Sequence, residues 1–102
     1  MNTTITARHC EIAPELRERA TALMERVSKL SHRPQRAEVI FDDDHQRKVV
    51  ELILHLPRSR THVASAEATD FQTALDRAME KLKHQLDKDG DKPAAKRSKA
   101  GA

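Results

Sequence analysis

Three places in the sequence hold residue types that could do chemistry. Asp42-Asp43-Asp44-His45 gathers three carboxylates and an imidazole within one short stretch. Such groups could hold a hard cation, but a calcium loop needs ligands at alternating positions, a glycine at the bend and a distal glutamate, and this run has none of that spacing. It reads as a solvated hairpin tip, where acids collect without ligand geometry. Cys10 beside His9 is the second place. Neighbours along a strand point to opposite faces, so the imidazole does not reach the thiol. The third is the set of six histidines at positions 9, 32, 45, 55, 62 and 84, none of which pairs at the i, i+4 step of a helical metal site. There is no nucleophile elbow and no glycine-rich phosphate loop, and the two glycines are Gly90 and Gly101. The sequence predicts no catalytic residue, no metal site and no cofactor.

What remains is electrostatic. Near the C-terminal side, Arg77, Lys81, His84 and Lys88 recur at steps of four, three and four, which makes one stripe along a helix; Asp76, Glu80 and Asp87 form an acidic stripe beside it. Near the N-terminal side, Arg19, Arg26, Lys29 and Arg33 fall on one line, with Glu15, Glu18 and Glu25 elsewhere. A charge stripe can be a solvated helix surface with its own i, i+4 pairs, and Lys29, Arg33 and Lys88 also suit helix C-termini through the macrodipole. The alternative is a basic ridge lying against phosphates. Two helices sorted in the same way favour a shared basic surface. With two Phe, no Trp and no Tyr, the chain has no platform on which single-stranded bases could stack.

The elements that carry these stripes follow from periodicity. The stretch from His62 to Leu86 organises the chain: it alternates like a strand, then switches to a helical repeat at Phe71, Ala74, Leu75, Ala78, Leu82 and Leu86. Thr69 or Asp70 can cap that helix, and Gln72 stands three residues after Thr69 as in a capping box. Earlier, Thr3 to His9 reads as a strand, and Pro14 opens a helix whose apolar seam is Leu16, Ala20, Leu23, Val27 and Leu30. Pro34 breaks it. Strands follow at Arg36 to Phe41 and Lys48 to Leu56, with polar turns at Asp42 to Arg47 and Pro57 to Thr61. The order β-α-β-β-β-α predicts an α+β fold. It is a four-stranded mixed sheet, parallel across the first crossover and antiparallel afterwards, with two helices packed on one face. This arrangement is similar to the double-stranded-RNA-binding fold with an added strand, and it lets the two basic ridges join on one outward surface.

At 102 residues the chain makes one domain that buries about two thirds of its surface. Residues 1–88 are expected to form it, and 89–102 a disordered basic C-terminal tail after Gly90. Through Asp87 there are 14 Lys plus Arg and 14 Asp plus Glu, so the whole formal excess of +3 lies after it. Affinity for nucleic acid within the domain must therefore come from sidedness. Cys10 is the single cysteine, which excludes an internal disulfide and suits a reducing cytosol. The N-terminus lacks a signal-peptide pattern and no apolar run could span a bilayer, so the expectation is a cytoplasmic protein, monomeric in isolation and without a membrane partner.

Three stretches resemble the ribosome hibernation promoting factor family, also known as the ribosome-associated inhibitor or sigma-54 modulation protein family. They are Ile5-Thr6-Ala7-Arg8-His9 with Glu11-Ile12 and Leu16-Arg17; Val50 to Leu56; and His62-Val63-Ala64-Ser65-Ala66-Glu67 with Asp70, Ala74-Leu75-Asp76, Lys81-Leu82 and Gln85-Leu86. The resemblance covers nearly all of Thr3 to Lys88. It implies a bacterial protein that sits in the decoding channel of the small (30S) ribosomal subunit and on 70S ribosomes. There it would take the places of messenger RNA and of tRNA in the A and P sites, inhibit translation and preserve idle ribosomes in stationary phase. It implies no enzyme activity. Its 16S rRNA contacts, carried over by position, are Arg17, Arg26 and Lys29 on the first helix and Lys81, His84 and Lys88 on the second; Arg19, Arg33 and Arg77 are added from the stripes alone. The family usually has an aromatic residue at Gln72 and an arginine at His84. A histidine there predicts binding that weakens above neutrality. The resemblance is to short members without a C-terminal dimerisation domain, for which ribosome dimerisation would need a separate factor. Two other readings stand beside it: a general double-stranded-RNA-binding module, and a small enzyme or metal protein built on Asp42 to His45.

Overall fold

The computed structural model describes residues 1–88, and the expected basic tail at 89–102 lies outside them. Six elements come in the expected order: β1 (Asn2–Arg8), α1 (Pro14–Ser28), β2 (Arg36–Asp44), β3 (Arg47–Leu56), β4 (Arg60–Ala68) and α2 (Phe71–Lys88). The strands make one four-stranded sheet in the order β1-β2-β3-β4. β1 runs parallel to β2 with Ile5 opposite Val39; β2–β3 and β3–β4 are antiparallel, with Val39 opposite Leu52 and Leu52 opposite Ala64. The fold is the mixed α+β arrangement that the element order implies.

Strict alternation builds the core. Val39 and Phe41, then Val50, Leu52, Leu54 and Leu56, point to one face and are buried with Ala20, Met24 and Val27 of α1 and Ala74, Leu75, Ala78, Leu82 and Leu86 of α2. β4 offers Ala64, Ala66 and Ala68 to that face, with the buried His62 at its start beside Gln85 of α2. The small size of the alanines brings the α2 backbone close to the sheet. The buried stripes on the helices are wider than the seams predicted. Met24 is fully buried and Met79 nearly so, while Leu16, Leu23 and Leu30 sit at the core margin. A sheet covers a broader arc of a helix than a second helix does.

Several boundaries differ from the sequence reading, and the predicted turn Pro57 to Thr61 shortens to Pro57, Arg58 and Ser59 as β4 begins at Arg60. The predicted turn Asp42 to Arg47 shrinks to His45 and Gln46, because the ladder continues through Asp43 opposite Lys48 and Asp44 opposite Arg47. Cross-strand charge drives that extension: Lys48 Nζ lies 2.6 Å from Asp43 Oδ2. His45 then sits in the turn at φ 57. α1 stops at Ser28 with Lys29 as its C-cap, so Arg33, at φ 57, lies in the following connection and not on the helix. At α2 the cap is Asp70. Its Oδ1 accepts the Thr73 backbone N–H at 2.8 Å and its Oδ2 accepts the Thr73 hydroxyl at 2.9 Å, so the box with Gln72 does not form.

Candidate nucleic-acid interface

The stripe on α2 does two things at once. Because α2 follows β4 directly and runs back along it, one side of the helix lies over the outer edge of the sheet. Arg77 Nη1 donates to the Glu67 carbonyl at 3.1 Å, Lys81 Nζ to the Ser65 carbonyl at 2.8 Å and Gln85 Nε2 to the Val63 carbonyl at 2.7 Å. Four residues of helix rise about 6.0 Å and two of strand about 6.7 Å, so side chains at i, i+4 and i+8 meet successive outward carbonyls. Arg77 and Lys81 are thus anchored to backbone by one donor each, with their remaining N–H groups at an exposed surface. His84 and Lys88, on the same side, are exposed and bond to no described residue.

α1 does not extend this surface as the sequence reading expected. Arg19 Nη2 is 3.0 Å from Asp76 Oδ1 on α2. The groove between the helices is lined by Leu23, Arg26, Val27, Asp76, Met79, Glu80 and Lys83. The basic line of α1 therefore faces the acidic stripe of α2, and part of the sorting by sign is attraction between the helices. Both partners of the Arg19 pair are nearly half exposed, so the pair adds little stability. The cations form two zones separated by Asp76 and Glu80. Arg17 belongs to neither: it lines an outer groove of α1 with Glu18, Thr21 and Glu25. Among the described residues, the side chains of Arg17, Arg26, Lys29, Arg33, Lys83 and Lys88 make no hydrogen bond or ion pair. Lys83, which faces the inter-helix groove beside Arg26, was missed in the sequence because it falls between the two stripes.

The other candidates for chemistry are occupied in other ways. His9 Nδ1 lies 3.1 Å from Asp42 Oδ1, and the two border a cleft with Asp43, Asp44 and His45. Among the described residues no group of three or more His, Cys, Asp or Glu is arranged to hold a metal ion. Cys10 Sγ contacts the Phe41 carbonyl at 3.7 Å, and burial, with the Asp43 charge next, pushes its thiol above the usual range. That disfavours the thiolate a nucleophile requires. Both aromatic rings are engaged inside: Phe41 and Phe71 meet edge to face at 5.4 Å, with Lys48 Nζ 5.6 Å from the Phe71 ring centre. Neither ring is free to stack on a base.

Fold and surface together define an α+β binding module whose exposed chemistry is unpaired cations on two adjacent helices. Residues 3–93 match the family described as sigma 54 modulation protein / S30EA ribosomal protein, and the chain belongs to that family. Among its relatives is a ribosome hibernation promoting factor from Klebsiella oxytoca, 29% identical over 92 residues that span 90% of this chain and 96% of the relative. A ribosomal subunit interface protein from Coxiella burnetii has the same fold with a TM-score of 0.78 and 28% identity, covering 90% of this chain and all of that one. The N-terminal domain of Protein Y from Thermus thermophilus, at 22% identity, shares the fold with a TM-score of 0.75 over 86% of this chain and 98% of that one. No described helix is long and apolar enough to cross a membrane.

Proposed function

We propose that this protein is a ribosome hibernation factor. It binds the small ribosomal subunit in the decoding channel, where messenger RNA and the A- and P-site tRNAs sit, and so inhibits translation and preserves idle ribosomes in the cytoplasm during stationary phase. The observation that carries this reading is the family match over residues 3–93. The names of its relatives, a hibernation promoting factor and a subunit interface protein, support it. The surface chemistry supports it too: unpaired cations on two helices are suited to phosphate. Inhibition on this reading is by occupancy alone. Contacts to 16S rRNA come from Arg17, Arg26, Lys29 and Lys88, from the outward N–H groups of Lys81 and Arg77, and from His84, with Arg19 and Arg33 flanking them. The same fold also suits a general double-stranded-RNA-binding module, which would bind free duplex RNA as tightly as it binds a subunit.

Co-sedimentation with purified bacterial small subunits tests the proposal. Wild type is expected to pellet in a salt-sensitive way, to be displaced by prebound P-site tRNA, and to lose binding in an Arg26→Glu, Lys29→Glu double variant. Equal binding to a free RNA duplex would favour the general module, and indifference to tRNA would remove the decoding channel as the site.

A further inference from the structure

The β3–β4 turn is built against its own backbone preference. Leu56 pairs with Arg60, leaving Pro57, Arg58 and Ser59 as the loop, and the Arg60 N–H reaches the Pro57 carbonyl at 3.5 Å. The two central residues, Arg58 at φ 67 and Ser59 at φ 59, are both left-handed. A turn with two positive φ angles favours Asn-Gly, and arginine is a poor choice for it. Nothing in the fold repays that choice: Arg58 is exposed and bonds to no described residue. Strain that brings no internal contact points to a contact outside the molecule.

The turn lies at the basic end of the protein. Topology brings it together with the α1–β2 connection, since Arg36 opposes His55 and the Gln35 N–H donates to the His55 carbonyl at 2.9 Å. Residues 29–36 and 55–61 hold five Lys or Arg, two His and no Asp or Glu. At the opposite end of the strands, residues 9–15, 42–46 and 67–70 hold seven Asp or Glu and no Lys or Arg. Helix macrodipoles account for a cation such as Lys29 at a helix C-terminus, but not for Arg58 and Arg60 on a hairpin. Of the cations at this end, Arg36 is held by Glu38 at 3.6 Å and His55 at 3.2 Å and Arg60 is engaged, while the side chains of Lys29, Arg33 and Arg58 bond to no described residue. Closely spaced cations of which three have unengaged side chains suit a phosphodiester backbone, and this set continues the helix cations around the C-terminal ends of α1 and α2.

We propose that the Pro57–Arg60 turn, backed by the 29–36 connection, is a second RNA-phosphate-binding surface, so that the protein meets RNA basic end first with its acidic end directed away. This deepens the ribosome-binding reading and rests on it for the identity of the RNA, but not for the contact itself. The test replaces Arg58-Ser59 by Asn-Gly (Arg58→Asn with Ser59→Gly) in the full chain, with Arg58→Lys as the charge-preserving control. Thermal midpoint and the salt dependence of binding are measured on two probes, purified small subunits and a naked RNA duplex. The proposal expects the Asn-Gly variant to be more heat-stable yet to bind several-fold more weakly. Its slope of log affinity against log salt should be lower by about one unit, with Arg58→Lys close to wild type. A more stable variant with unchanged affinity and slope on both probes would overturn it. So would weaker binding to subunits with an unchanged duplex slope, which would assign the turn to an acidic protein surface. If wild type binds the duplex but not subunits, and the variant still loses one unit of slope, the phosphate contact stands and the ribosome reading fails. Binding of wild type to neither probe would overturn both.

Discussion

Asp70 stands in the link between β4 and α2 and caps the helix, and its ionisation is tied to that cap. The Thr73 N–H, and then the Thr73 hydroxyl, hold its carboxyl below the ordinary aspartate range. A carboxylate whose folded value is depressed stabilises the fold above its unfolded value and loses that contribution as pH falls through the folded one. Asp70→Ala should therefore lower the thermal midpoint at neutral pH, with the gap from wild type narrowing as the pH falls below the ordinary aspartate range. A gap that is constant with pH would show that the charge is irrelevant to the cap. His45 makes a different prediction. It is held at φ 57 in a two-residue hairpin turn, a conformation glycine adopts freely, so His45→Gly should stabilise the protein by about 1 kcal/mol in a denaturant titration. Neither angle was legible in the sequence. A positive φ at histidine or arginine is imposed by the ladder on either side, and only glycine or asparagine would have signalled it in advance. The cap was half legible: Thr69 and Asp70 were both suited to it, and only the position of the first helical turn decides between them.

Among the elements, α2 was the most readable and α1 the least. α2 inherits its register from β4 through a two-residue link, so its apolar repeat and its stripes are fixed by neighbours in sequence. Removal of a core side chain at its centre, Leu82→Ala, should cost about 2–5 kcal/mol, measurable as a fall in the denaturation midpoint. The role of its basic stripe was not legible, because sequence spacing does not tell phosphate from a strand edge: both ask for donors every four residues. Lys81→Met should lower stability by about 1 kcal/mol and speed amide exchange in β4, whereas Lys88→Met should do neither. For α1, the basic line drawn through Arg33 ran past the end of the helix, which closes in tight turns where Leu30 N–H donates to the Val27 carbonyl and the Ser31 N–H and hydroxyl to the Ser28 carbonyl. The way this line faces Asp76 and Glu80 depends on how the two helices are rotated about their axes, which long-range packing decides. A double-mutant cycle on Arg19 and Asp76 should give a coupling of about 0.2–1 kcal/mol that fades in high salt.

For the molecule as a whole, net charge is legible in the sequence and its direction is not. The domain is neutral through Asp87, yet it carries acids at the strand ends near His45 and cations at the ends near Arg58. Only the strand order reveals this, by gathering segments far apart in the chain. The element order was enough to reach the family fold, because one crossover and two tight hairpins leave few alternatives. The sheet has one further property at this scale. Its β4 margin is bolted over by Arg77, Lys81 and Gln85, while β1 has β2 as its single neighbour. Growth of a sheet from copy to copy needs two open margins on every subunit, one to receive and one to offer. Here each chain brings one, so any pairing along the strands joins two copies and then stops. Strand pairing confined to β1 therefore yields discrete pairs and not fibres.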